Sequence, residues 1–252
     1  MFQTNFLLLL LGHIIGDFYF QNSKMATIKF KKTTSLISHI ALYSIAIVLV
    51  FIPVWNPNFI TPIVLISISH AIIDTTKVVY KKIRKPSDSA TKDTFVFLLD
   101  QLFHLFCMIF VSVYMTKENI SITMNVTSNW LIHLNIDYLV VVKFLILLLG
   151  NIRPCNILIK TTVQRYKPKE NEGSNVNQSN SIGAGATIGT LERFLITVFY
   201  VNNQYSLIGL ILTAKSIARF SKLSEDKDFA EYYLMGTLLS VLFVIGLCMI
   251  TL

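Results

Sequence analysis

Three times in this chain a histidine and an aspartate stand four residues apart inside an apolar run. They are His13 and Asp17, His70 and Asp74, and, in reverse order, Asp100 and His104. A further histidine, His39, lies in the apolar run between the first two pairs. Side chains four apart share one face of an α-helix, so each pair is expected to project to one side. Neutral imidazole and carboxylate suit Zn, Mn or Fe, and a divalent ion so held lowers the pKa of a bound water toward about 7. The residue types therefore point to metal-assisted hydrolysis. In that chemistry His13, Asp17, His70, Asp74 and His104 are ligands. Asp100 is a ligand or the general base, and His39 is a ligand or an acid/base behind the ligands.

Cost makes these residues informative. On insertion scales an aspartate near the centre of a membrane helix costs roughly 2.5–3.5 kcal/mol. Pairing, protonation or a bound cation must offset that cost. The same residue types serve proton or cation relays in transporters, and intramembrane His–Asp pairs also serve as hydrogen-bonded glue between helices. Three readings stay open: a metal-dependent hydrolase of a lipid-linked or phosphorylated substrate, a metal-ion or proton-coupled transporter, and a non-catalytic scaffold.

The elements that must position these residues are membrane helices. The chain is 53% hydrophobic and 14% charged, with a mean hydropathy of +0.60, whereas a soluble domain carries about 25% charged residues. Apolar runs at Phe2–Phe20, Thr34–Ile52, Phe59–Tyr80, Thr94–Met115, Ile136–Gly150, Ala186–Tyr200, Tyr205–Phe220 and Phe229–Leu252 predict an all-α, polytopic transmembrane bundle of about eight spans. The net charge of +8 comes from clusters between the runs. Basic and nearly cation-free loops alternate, which is an orientation signal and not a nucleic-acid footprint. By the positive-inside rule both termini lie outside and the basic loops are cytoplasmic, in a multi-pass membrane protein. That topology puts all seven residues at similar depth, in a cluster that faces the cytoplasm.

The expected organisation is a front unit, 1–150, with two parallel hairpin repeats and a fifth helix. A cytoplasmic amphipathic segment and flexible linker, 151–185, and a back unit of three helices, 186–252, complete it. Lys24 and Lys77 are expected to snorkel to the interface, with binding of an anionic headgroup or phosphate as the alternative, and His133 is expected to lie on an outer loop. In the back unit Arg193, Lys215 and Arg219 form a candidate basic rim for an anionic or lipid-linked substrate. Interfacial anchoring and pairing with Glu192 is the alternative. Gly185 and Gly189 are expected to allow close helix packing, and Cys107, Cys155 and Cys248 to be packing residues, since no spacing pairs them. The run Met1–Phe20 lacks a basic n-region, so it is not expected to be a secretory signal.

The front half resembles a bacterial membrane family, domain of unknown function 3307. The resemblance rests on Gly12-His13-Ile14-Ile15-Gly16-Asp17-Phe18 with Gln21, Ser69-His70-Ala71-Ile72-Ile73-Asp74 with Lys77, and Leu98-Leu99-Asp100-Gln101-Leu102-Phe103-His104. Segments such as Thr190-Leu191-Glu192-Arg193 and Ala214-Lys215-Ser216 extend the likeness into the back half. The resemblance implies a membrane protein and carries no activity. A looser likeness joins these motifs to bacterial membrane proteins described as candidate metal-dependent hydrolases.

Overall fold

The computed structural model describes residues 1–30, 32–83, 90–120, 137–166 and 181–252. His133 and most of the expected linker lie outside the described residues. The described residues form helices throughout. Helix α1, Phe2–His13, runs directly into a π-helical segment, Ile14–Phe20. A short α2, Ser23–Ile28, follows, and then α3, Thr33–Phe51. After two 3₁₀ turns come α4, Ile60–Ile83, and α5, Ala90–Lys117. The chain continues with α6, Tyr138–Val163, and α7, Ser181–Val201. It ends with α8, Tyr205–Ile217, α9, Phe220–Glu225, and α10, Lys227–Thr251.

Five described segments are long and apolar enough to cross a membrane: Thr33–Val54, Pro57–Ile83, Asp93–Lys117, Tyr138–Val163 and Lys227–Thr251. Eight crossings were expected. The seventh run is the clearest departure: α8 has 13 residues, about 20 Å at 1.5 Å per residue. That falls short of a hydrocarbon core about 30 Å thick. The chain turns at Ala218 and Arg219 into the separate α9.

The chain divides into two compact units, Met1–Ile146 and Leu147–Leu252, and the division falls inside α6. Hydropathy ends the fifth run at Gly150, with an interfacial segment expected from Ile152 to Tyr166. The helix instead continues unbroken to Val163, through Pro154. Asn156 in this stretch, and Asn151 just before it, are bonded to side chains of α7 within the second unit.

The first unit has a largely apolar core, into which it also turns its ionisable side chains, and it exposes large apolar ones. On α4 the exposed Ile68 and Ile72 alternate with the buried His70 and Asp74. On α5 Phe103, Phe106 and Phe110 face outward, and Asp100, His104 and Ser112 face inward. That distribution fits a lipid surround, where ionisable side chains turn to the bundle interior. Helix α1 packs against α3 and α5, and α4 against α3 and α5. Close approach of α1 and α3 depends on two glycines. A Cβ on Gly12 would meet the Ile47 side chain at 2.6 Å, and one on Gly16 would meet Tyr43 Cδ2 at 2.7 Å and Tyr43 Cα at 3.1 Å. Gly185 and Gly189, expected to allow close packing, meet little among the described residues: a Cβ on Gly185 has no neighbour there within 4 Å, and one on Gly189 meets Arg193 Nη1 at 3.3 Å.

In the second unit Ile196, Ile208, Val244 and Cys248 form the core, with Leu147, Phe199 and Val241 packed against it. All three cysteines are free thiols.

Candidate metal centre

Four helices deliver the seven residues to one buried place in the first unit. His13 closes α1, and Asp17 follows on the π-helical segment. His39 lies within α3, His70 and Asp74 within α4, and Asp100 and His104 within α5. The π-helix departs from the expected α-helical spacing at Asp17. Such segments recur at functional sites. Here the segment loosens the His13–Asp17 pair to 3.9 Å and lets Asp17 reach across to α3.

The tight contacts run between helices and not along them. His39 Nε2 lies 3.1 Å from Asp17 Oδ1, 3.1 Å from Asp74 Oδ2 and 3.2 Å from His70 Nε2. His70 Nε2 is 4.0 Å from the same Asp17 oxygen. The expected Asp100–His104 pair does not join carboxylate to imidazole. His104 Nδ1 instead donates to the backbone carbonyl of Asp100 at 2.8 Å. That bond presents Nε2 as the lone-pair atom, and Nε2 is buried with no hydrogen-bond partner among the described residues. A ring nitrogen anchored on a carbonyl while the other stays free is how metal-ligating histidines are commonly oriented.

Stacking fixes the rings. Tyr43 lies parallel to His70, with centroids 3.6 Å apart and an interplanar angle of 1°. The centroids of His70 and His104 are 4.7 Å apart, and those of His13 and His104 are 5.1 Å apart. Tyr43 is thus held between His70 and the bare backbone of Gly16.

Three overlapping triads offer ligand atoms that all lie within 4.8 Å of one another: His13–Asp17–His104, Asp17–His39–His70, and His70–Asp74–His104. Asp17, His70 and His104 each belong to two triads, the arrangement one ion or two neighbouring ions would need. Two carboxylate oxygens and one imidazole nitrogen converge on His39 Nε2, which carries at most one proton. A cation satisfies such a set better than the single N–H can.

Sequence reading missed three partners. Lys29, counted only as a loop cation, is buried at 4% exposure, with Nζ 2.8 Å from Asp74 Oδ2. Lys77 does not snorkel: its Nζ lies 2.5 Å from Asp100 Oδ2. Gln101 bridges the cluster. It accepts from His13 at 3.4 Å and donates to Asp100 at 3.2 Å and to Asp17 at 3.5 Å. Gln101 stands inside the third motif, so its neighbours flagged it. For Lys29 no local signal exists, because its neighbours are other loop lysines.

Of the three cations expected to form a rim, Lys215 and Arg219 both lie over the Tyr233 ring, while Arg193 is held by a network of its own in the second unit. Arg193 is buried at 2% exposure. It donates from Nε to the Asn151 carbonyl, and from Nη2 to Asn156 Oδ1 and Thr190 Oγ1, each at 2.8 Å. Lys215 pairs with Glu192 at 2.6 Å, and Arg219 lies exposed over the Tyr233 ring.

A profile of the family described as Protein of unknown function (DUF3307) matches residues 5–133. Neither a curated protein nor a solved structure matches the chain. The matched span contains all seven residues of the centre together with Lys29, Lys77 and Gln101, and the chain belongs to this DUF3307 family.

Proposed function

We propose that the first unit is a metal-dependent hydrolase centre, embedded in the bacterial inner membrane and open to the cytoplasm, for a lipid-linked or phosphorylated substrate. The observation that carries this reading is the set of three overlapping triads within 4.8 Å, drawn from four helices. Zn, Mn or Fe fits a donor set of imidazoles and carboxylates, and such an ion would supply an activated water. His104, oriented by the Asp100 carbonyl, and His70, stacked on Tyr43, are the ligands best held in place. His13, Asp17 and Asp74 complete the set. The Asp100 carboxylate stands next to it as a ligand or general base, and His39 moves a proton between Asp17 and Asp74. The alternation of basic and uncharged loops supports a cytoplasmic opening and about eight crossings, with both termini outside.

The test is metal analysis of the purified full chain beside His70→Ala and Asp74→Ala. Stoichiometric metal that disappears in both variants supports the centre, and a folded, metal-free protein sinks the hydrolase. One observation favours a transporter as the second reading. Hydrogen bonds and ion pairs link Lys77, Asp100, Gln101, Asp17, His39, Asp74 and Lys29 in one chain, a path a proton could follow. Proteoliposomes separate the two. A hydrolase cleaves its substrate without a gradient, whereas a transporter moves metal or protons across the bilayer.

A further inference from the structure

We propose that Lys29 and Lys77 form a phosphate-binding pair at this centre, and that metal binding frees them for it by taking over Asp74 and Asp100. The proposal rests on the metal reading above and narrows its substrate to a phosphate ester.

Charge carries the first step. Three carboxylates face two ammonium groups, so with neutral imidazoles the metal-free centre keeps one formal negative charge. A single divalent ion reverses that sign. The loaded centre then holds a dication and two ammonium groups in a buried place, where unbalanced charge is costly. A monoanion, such as a singly protonated phosphate ester or a phosphodiester, restores balance. A neutral ester or amide does not.

Geometry carries the second step. Each lysine contacts one oxygen of a carboxylate that also belongs to the His/Asp cluster: Lys29 Nζ on Asp74 Oδ2, Lys77 Nζ on Asp100 Oδ2. An ion bound to those carboxylates competes directly with the ammonium groups. The displaced groups remain within one side-chain swing of the ion and lie on different elements. Lys77 is three residues beyond Asp74 on α4, on the same helix face and toward the end of that helix. Lys29 is set by α2, whose first turn is capped by the Asn22 side chain accepting from Met25 N at 2.7 Å. Two mobile point charges flanking a metal are a phosphate-binding arrangement, since a phosphate offers oxygens to both ammonium groups and to the ion. Asp100 Oδ1, buried and without a hydrogen-bond partner among the described residues, marks the same spot as incompletely satisfied. The lysines also count against a pure cation pathway, because they repel the cargo it would carry.

The experiment uses the full chain in nanodiscs loaded with Mn²⁺, which broadens the ³¹P resonance of any phosphate bound beside it. Inorganic phosphate is titrated into phosphatidylcholine nanodiscs in one arm. In the other, phosphatidate replaces part of the lipid. The variants are Lys29→Met, Lys77→Met and the conservative Lys29→Arg and Lys77→Arg, with the exposed Lys117→Met as control. The expected result is unchanged Mn²⁺ stoichiometry in all of them and phosphate affinity lower by about tenfold or more in each Met variant. Partial recovery is expected in the Arg variants, which also stand in if a Met variant fails to fold. Broadening by inorganic phosphate assigns a soluble ester, and broadening only with phosphatidate assigns a lipid headgroup; either supports the pair. Normal Mn²⁺ binding with no broadening in either arm, or with broadening indifferent to both lysines, overturns the proposal and leaves the metal reading standing. Absence of Mn²⁺ binding overturns both.

Discussion

Both units bury charge between helices, but they treat it differently. In the second unit Arg193 meets a matched set of acceptors: the Asn151 carbonyl, Asn156 Oδ1 and Thr190 Oγ1. Thr197 and Asn151 close the network by bonding to each other and to backbone carbonyls. Glu192 and Lys215 neutralise one another. In the first unit, two carboxylate oxygens and one imidazole nitrogen crowd His39 Nε2, and one ring nitrogen of each of the four clustered histidines has no hydrogen-bond partner among the described residues. A buried polar atom without a partner costs about 1–3 kcal/mol, so glue is under pressure to pair everything. The second unit comes close to that economy, with Asn151 Oδ1 the buried side-chain atom left without a partner among its described residues. The first leaves more of its buried polar atoms unpaired, a deficit that a bound cation would offset.

This contrast can be broken most directly at the metal. His70→Ala and Asp74→Ala are expected to abolish stoichiometric metal, measured by elemental analysis of the folded protein, while Arg193→Met leaves it unchanged. Equal metal content in all three would erase the distinction between the units. The next largest effect belongs to Gly16→Ala. Its Cβ would press on Tyr43, whose ring supports His70. Overpacking of this kind costs about 1–3 kcal/mol, and displaced supports lower metal affinity by about 10–100-fold. Thermal unfolding and metal titration should therefore shift together, and a normal metal affinity would show that the α1–α3 spacing does not position the centre. Arg193→Met should also cost about 1–3 kcal/mol by orphaning its three acceptors, read as a lower unfolding temperature in detergent with no change at the metal. The smallest change is expected from Glu192→Gln. Lys215 is partly exposed and keeps its place over the Tyr233 ring, so the loss should stay within about 1 kcal/mol. A larger loss would mean that this pair is part of a second buried charge site.

The motifs made the centre legible, but they misstated its wiring. His13, Asp17, His70, Asp74, Asp100 and His104 stood out because ionisable residues are rare in apolar runs, and a common helix face follows from their spacing. The bonds they make did not follow. Asp17 serves His39 more closely than its own partner His13, because the chain goes π-helical at Ile14. His104 uses the Asp100 backbone and not its carboxylate. In the second unit, Asn151 and Asn156 gave no signal of their bonds to Arg193, because that partner is some forty residues away in sequence.

What the sequence determined alone is the class of molecule and the residues worth watching: helices of membrane length, and a set of His and Asp that hydrocarbon does not tolerate without compensation. Periodicity and hydropathy are local properties, and local properties survive in a string of letters. What only the tertiary structure decided is which atoms meet. It took Lys29 from a loop full of lysines and placed it on Asp74, and it turned Lys77 inward to Asp100. It chose Gly12 and Gly16 for close approach, whereas Gly185 and Gly189 meet little among the described residues. These are contacts between segments distant in sequence or decisions about side-chain direction. They depend on how four helices pack, and no spacing along one helix encodes that.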